Sequence, residues 1–128
     1  MSSERPPLVA VVDDDADVRV ALMRLISSAG FATETFASST EFVSSISDHV
    51  PECLVLDLHM PEFSGFEVQR QLAERRPEVP VVIITGHDTA ESRSRALSLG
   101  AWAYLAKPVD GDALLLAING ALRRPPHD

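Results

Sequence analysis

The chain has 128 residues, a length that suits one domain with a substantial buried core. Hydrophobic residues make up 45% of it, which excludes a chain that is disordered by composition, and the formal net charge of −8 argues against direct binding to nucleic acid or to an anionic membrane surface. With no apolar run of ~18 residues for a membrane span and no signal peptide at the start, we expect a cytoplasmic protein.

Five segments with strand character follow one another along the chain. They are Leu8–Asp13, Ala32–Phe36, Glu52–Asp57, Val81–Thr85 and Trp102–Ala106. The first, third and fourth are nearly continuous apolar runs, which is typical of strands that are covered on both faces in a parallel sheet. The single cysteine, Cys53, lies inside such a run and is expected to be a buried core thiol.

Stretches with helical spacing alternate with these strands. The first carries an apolar stripe from Val18 to Ile26, with Asp15 or Asp17 as candidate cap and Gly30 after its end. The others run over about Ser39–Ser47 with its cap near Ser39, from Ser64-Gly65 to before Pro77, over Thr89–Leu99, and over Asp110–Leu122.

This alternation predicts a single α/β domain. Right-handed crossovers and short loops favour a flavodoxin-like, doubly wound sheet of five parallel strands in the order 2-1-3-4-5, with five helices. The Pro-rich, charged segments 1–7 and 123–128 are expected to be flexible ends.

Polar residues close four of the predicted strands. Asp13 and Asp14 stand at the end of the first, Asp57 closes the third, Thr85 the fourth, and Lys107 follows the fifth. In an open parallel sheet these ends meet at one crevice, where ligands bind. Three carboxylates, a hydroxyl and an ammonium there predict a site for Mg²⁺ and a phosphoryl group.

Four motifs resemble those of the receiver domain of two-component response regulators. They are VVDDD at 11–15, LDLHMPEFSG at 56–65, ITG at 84–86 and AKP at 106–108. The match covers nearly the whole chain in the right order, and ITGH at 84–87 with MPEFSG at 60–65 is most similar to the FixJ-type subgroup. The resemblance implies a signalling switch that a sensor histidine kinase phosphorylates on Asp57, with weak autophosphatase activity, rather than an enzyme acting on a separate substrate.

The resemblance also implies a set of Mg²⁺ ligands. Asp14 and Asp57 would bind the ion directly, Asp13 through a water molecule and His59 through its backbone carbonyl. Acids at the start of a helix also suit the positive end of its dipole, and for Asp15 the capping role is the better interpretation.

The remaining roles concern the phosphoryl group and its readout. By resemblance, Lys107 pairs with Asp57 and then with a phosphoryl oxygen, while Thr85 forms a hydrogen bond with that group. Tyr104 matches the switch position that turns inward when the threonine moves. We expect a cis peptide bond before Pro108, which would direct the ammonium into the crevice.

Four further residues border the predicted site or its output face. His59 and His87 lie on loops at the mouth, where they would tune the lifetime of the phosphorylated state. Trp102 lies two residues before Tyr104, and the two rings are expected beside the fourth helix as part of an α4–β5 output surface. Gly65 is expected to shape the loop after the third strand by adopting a positive φ.

Two other functions fit parts of this pattern. A small aspartyl-phosphate phosphohydrolase would carry a second Asp two residues after its nucleophile, but His59 stands there. A phosphorylation-independent interaction module would be marked by loss of an acid or of Lys107, and all are present. FixJ-type regulators of transcription usually carry a helix-turn-helix domain after the receiver, so an attached effector domain or a second copy of the chain are the candidate output partners.

Overall fold

The computed structural model describes residues 5–61 and 64–123, which form alternating strands and helices. The strands are β1 (Leu8–Val12), β2 (Ala32–Phe36), β3 (Cys53–Asp57), β4 (Val81–Thr85) and β5 (Ala103–Ala106). The helices are α1 (Ala16–Ser28), α2 (Ser39–Ser45), α3 (Gly65–Arg75), α4 (Ala90–Ser98) and α5 (Gly111–Arg123). Most of the two predicted flexible ends lies outside the described residues.

The five strands form one parallel sheet in the order β2-β1-β3-β4-β5, which confirms the predicted topology. Side chains alternate between two apolar cores because successive strand residues point to opposite faces. On one face Leu56 packs with Phe42 of α2; on the other Val55 packs with Ile26 of α1 and Leu114 of α5. Each such buried side chain contributes roughly 1.5–3 kcal/mol.

Two helix starts show how local sequence sets the boundaries. Asp15 caps α1, and its carboxylate accepts hydrogen bonds from the backbone nitrogens of Asp17 and Val18. The cap of α2 was predicted near Ser39, but the structure places it one residue earlier, at Ser38. Ser38 has an extended backbone, and its hydroxyl accepts a hydrogen bond from the Glu41 nitrogen at 3.1 Å. Ser39 instead lies buried in the first turn.

The start of β5 also differs from the prediction. Trp102 precedes the strand, which begins at Ala103, although its backbone nitrogen still donates to the Val81 carbonyl at 2.8 Å. Trp102 is 44% exposed and lies beside β5, an edge strand of the sheet.

The α4 helix is attached to the domain mainly through polar contacts. Ala96 is its one buried residue. The Gln69 amide of α3 donates to the Ala96 carbonyl at 3.0 Å, and the Arg95 guanidinium lies 4.2 Å from the centre of the Phe66 ring. These hydrogen-bond and cation–π contacts therefore supplement the limited apolar burial of this helix.

Within the described ranges, none of the helices has the length and apolar content that crossing a membrane requires.

Candidate functional site

Three acids meet at the carboxyl ends of two adjacent strands. Asp13 and Asp14 follow β1, Asp57 closes β3, and the two strands are paired in parallel up to Val12 and Leu56. Oxygens of the three carboxylates lie within 4.8 Å of one another. Asp13 and Asp57 are buried while Asp14 is exposed, so the cluster is open on one side. An all-oxygen donor set of this kind fits Mg²⁺.

The acidic loop is fixed by two contacts to its first residue. The Asp13 carboxylate accepts from the Asp15 nitrogen at 2.9 Å, and the Arg19 guanidinium donates to the Asp13 carbonyl at 2.8 Å. Sequence reasoning missed Arg19. A signal existed, since a cation near a helix N-terminus opposes the helix dipole and needs a reason to be there.

Lys107 enters the same cluster from the end of β5. Its Nζ lies 2.9 Å from Asp13 Oδ2 and 3.6 Å from Asp57 Oδ1, and the Lys107–Pro108 bond is cis, as predicted. Burial alone would lower the pKa of Lys107, but its hydrogen bond to Asp13 and the charges of Asp57 and Asp13 raise that pKa above 10.5. The ammonium therefore stays charged at neutral pH.

The Asp57 carboxyl group is a weaker acid than an ordinary aspartate. Burial is the main cause that raises its pKa to about 6, and the neighbouring charge of Asp13 adds to the effect. The charge of Lys107 and the His59 backbone N–H, 3.4 Å from Oδ1, act in the opposite direction. The carboxylate is thus ionised at neutral pH but close to its titration range.

The loop after Asp57 depends on Gly65, although not for the predicted reason. Among the described glycines, positive φ occurs at Gly30 and Gly100, where α1 and α4 end, and not at Gly65. A Cβ at position 65 would instead lie 2.8 Å from the Asp57 carbonyl oxygen and 2.9 Å from Leu58 Cα. Close approach of two backbone segments requires the glycine.

Thr85 is buried at the end of β4, and its hydroxyl accepts from the His87 nitrogen at 3.0 Å. It does not line the adjacent crevice of about 630 Å³. The residues that line this crevice are Asp14, Asp15, Asp57, His59, Gly86, His87 and Lys107. The structure therefore brings together the predicted acids, the lysine and both mouth histidines, with Thr85 just behind them.

The two histidines contact each other across the mouth. The rings of His59 and His87 have centroids 5.4 Å apart and planes at 86°. Both side chains are exposed. The sequence placed each of them near the crevice but did not predict this contact.

The two aromatic residues of the predicted output surface, Tyr104 and Trp102, differ in burial. Tyr104 is only 6% exposed and already points inward, with the Arg93 guanidinium of α4 lying 4.8 Å from its ring centre. Burial, and next Asp88, raise the pKa of its hydroxyl. Trp102 lies against α5: a Cβ on Gly120 would lie 3.5 Å from its indole. Both rings were expected beside α4; Tyr104 contacts Arg93 of that helix, whereas the contact of Trp102 is with α5.

Comparison with known proteins gives a consistent match. The family model described as the response regulator receiver domain matches residues 9–119. The response regulator protein TodT of Pseudomonas putida is 37% identical over 125 residues, covering 98% of this chain and 55% of TodT. The DNA-binding transcriptional regulator NtrC of Salmonella typhimurium is 33% identical over 115 residues, covering 90% of this chain and 24% of NtrC. The chain thus spans about half or less of these relatives.

Solved structures share the fold. A response regulator receiver domain protein from Clostridium thermocellum superimposes with a TM-score of 0.87 at 30% identity, covering 92% of this chain and 95% of that one. A CheY-like receiver domain protein from Methanospirillum hungatei gives 0.87 at 26% identity, covering 91% and 94%.

Proposed function

The chain belongs to the response regulator receiver domain family, whose members are phosphorylation-based signalling switches, and we propose that Asp57 is its phospho-acceptor and a sensor histidine kinase its phosphodonor. The observation that carries the assignment is the position of Asp57. It is the buried acid at the end of β3, between two further carboxylates and the Lys107 ammonium, and it faces the open crevice.

The chemistry follows from this position. An ionised Asp57 oxygen attacks the phosphorus, the P–N bond of the kinase phosphohistidine breaks, and the electron pair returns to the imidazole. Because the pKa of Asp57 is about 6, the carboxylate is ionised at neutral pH without being a strongly stabilised anion. Lys107, already within 3.6 Å, offsets negative charge on the transferred group.

Mg²⁺ is the cofactor that the donor set fits. Asp13, Asp14 and Asp57 would hold it, with the His59 backbone carbonyl as a further ligand by resemblance. Bound there, the ion supplies positive charge to the phosphoryl oxygens. The chain's own contribution is the rigid acidic loop, which Arg19 fixes through the Asp13 carbonyl.

Readout would pass through Thr85 and Tyr104. The Thr85 hydroxyl now accepts from the His87 backbone and is free to donate its proton, which a phosphoryl oxygen on Asp57 would accept. Tyr104 is already buried in this structure, so phosphorylation would stabilise the inward position rather than create it. A shift between two existing states of the α4–β5 surface is the result.

The direct test uses a small-molecule phosphodonor, mass spectrometry and four proteins. Wild type should gain one phosphate that hydroxylamine releases. Asp57→Asn should gain none, and Asp14→Ala should gain less because a Mg²⁺ ligand is lost. Asp112→Asn, which alters an exposed acid in α5, is the matched control and should label like wild type. Undiminished labelling of Asp57→Asn would refute the assignment.

The switch has its own test, because the chain contains one Trp. Emission from Trp102 should shift when wild type is phosphorylated and much less in Tyr104→Ala. An unchanged spectrum in protein shown to be phosphorylated would place the output on another surface.

The output itself is proposed from the relatives. TodT and NtrC are longer than this chain, and NtrC is named a DNA-binding transcriptional regulator. We propose that this receiver belongs to a transcription regulator of the cytoplasm. From the resemblance of its ITGH and MPEFSG motifs we further propose a FixJ-type helix-turn-helix effector, with phosphorylation-dependent pairing of two copies as the route of activation. Sedimentation of the receiver with and without phosphodonor tests the pairing: unchanged mass after phosphorylation would exclude it.

A further inference from the structure

Two imidazoles form the rim of the crevice whose interior carries the acids. His59 follows β3 and His87 follows β4, and the register of these two strands brings their loops side by side. Both side chains are exposed and line the same crevice as Asp14 and Asp57. The proposed phosphoryl chemistry uses neither imidazole as a ligand, so the pair is available for another role.

The separation of the two rings is compatible with a shared tetrahedral metal ion. With Zn–N bonds of ~2.0–2.1 Å, each ring centre lies about 3.2 Å from the metal, and a tetrahedral angle then places the two centres about 5.2 Å apart. The observed separation is 5.4 Å, and the planes are nearly perpendicular at 86°. The centroid separation therefore permits a shared ion once a nitrogen of each ring turns toward it.

We propose that His59 and His87 form a binding site for a borderline divalent cation, Zn²⁺ in particular, at the mouth of the acidic crevice. Imidazole suits Zn²⁺ and carboxylate oxygen also binds it, whereas Mg²⁺ prefers oxygen ligands alone. Asp14 and Asp57 line the same crevice. Among the described residues, however, the ligand atoms that lie within 4.8 Å of one another in a group of three are those of Asp13, Asp14 and Asp57, so the two imidazoles would be the protein ligands of the zinc ion and water would complete its coordination. Zn²⁺ would thus prefer the position beside His59 and His87, and Mg²⁺ the neighbouring position among the carboxylates.

Occupation of this site has a consequence that rests on the proposed function. A cation held across the mouth would stand in the path by which a phosphodonor reaches Asp57. Zinc would therefore act as an inhibitor of phosphorylation, and the inhibition would depend on the two imidazoles.

The binding test uses Mg²⁺-free protein and competition for Zn²⁺ with a chromogenic chelator. The proteins are wild type, His59→Ala, His87→Ala and the control His49→Ala, whose exposed imidazole lies 3.6 Å from Glu34 and outside the crevice. Wild type and His49→Ala should bind one ion with the same affinity. Each of the other two variants should bind at least about tenfold more weakly, and X-ray absorption of the wild-type complex should show two nitrogen ligands.

Three outcomes would overturn the proposal. They are absence of zinc binding to wild type at 100-fold excess, equal affinity in all four proteins, and loss of affinity in only one of the two mouth variants. Phosphate incorporation with Mg²⁺ alone is measured on the same samples, so that failure of Asp57 to accept phosphate is distinguished from failure of the zinc site. Added Zn²⁺ should lower incorporation in wild type and in His49→Ala by a larger factor than in His59→Ala or His87→Ala.

Discussion

The Lys107 ammonium makes its shorter ion pair with Asp13, at 2.9 Å, and the Asp13 side chain has no exposure to solvent. The resemblance pairs this lysine with Asp57, and that distance is 3.6 Å. One cation thus compensates two buried carboxylates, and the acid that it contacts most closely is not the proposed phospho-acceptor.

This sharing predicts strong coupling between Lys107 and Asp13. Lys107→Met should destabilise the domain by about 2–4 kcal/mol, because two buried carboxylates lose their cation. Adding Asp13→Asn to that variant should restore part of the loss, with a coupling energy of about 1–3 kcal/mol. Urea denaturation of both single variants and the double variant in EDTA measures it. Additive effects would show that Lys107 does not compensate Asp13.

Asp57→Asn should stabilise the protein at neutral pH in the absence of divalent cations. The pKa of Asp57 is about 6 in the folded protein and ~3.9 unfolded, so the native state holds the proton more tightly. Native stability therefore falls as pH rises from about 4 to about 6, and removal of the charge recovers about 1–3 kcal/mol above that window. Thermal unfolding at pH 7.5 and pH 4 checks this. A gain of equal size at both pH values would assign the effect to packing.

Replacing the mouth histidines should change the lifetime of the phosphorylated state more than its formation. His59 and His87 meet across the crevice, where a water molecule must approach the phosphorus. Release of phosphate is timed for His59→Ala, His87→Ala and the double variant in metal-buffered Mg²⁺ without zinc. Lifetimes within about twofold of wild type would leave the pair without a role in hydrolysis.

Two glycine substitutions should have opposite effects on stability. Gly65→Ala would place a Cβ 2.8 Å from the Asp57 carbonyl oxygen, and backbone must move, so a loss of about 2 kcal/mol or more is expected. Gly120→Ala meets only ordinary contact with Trp102 at 3.5 Å and should gain about 0.5–1 kcal/mol from helix propensity. Chemical denaturation compares them. A tolerated Gly65→Ala would show that the loop has room to relax.

Much of the fold could be predicted because the central strands are read directly from apolar runs. β2 and β4 have the predicted bounds, and Asp57 closes β3 as expected. The errors lie at the ends of elements: Ser38 rather than Ser39 caps α2, and Trp102 precedes β5. In addition, β1 ends at Val12 rather than Asp13, β3 begins at Cys53 rather than Glu52, and α2 ends at Ser45 rather than Ser47. Neighbouring residues of similar chemistry compete for such positions, and only the backbone geometry decides between them.

The sequence predicts which residues form the site but not which of them contact one another. Strand ends place Asp13, Asp57 and Lys107 in one cluster, yet their pairing distances depend on side-chain conformation, which periodicity does not specify. Two further features could not be predicted for the same reason. One is the contact of Arg19 with the Asp13 carbonyl, and the other is the role of Gly65, for which a positive φ was assumed. Each depends on where another segment of the chain passes.

The sparse attachment of α4 bears on how such domains diversify. With Ala96 as its one buried residue, nearly every other position of the helix can change without opening a cavity. Charges on this helix that do not pack on an aromatic ring, such as Glu91, can therefore change while Arg93 and Arg95 keep their contacts with Tyr104 and Phe66 and the sheet and the acidic crevice stay intact. Duplicated copies of one ancestral gene could in this way acquire separate partners and be insulated from each other's signals.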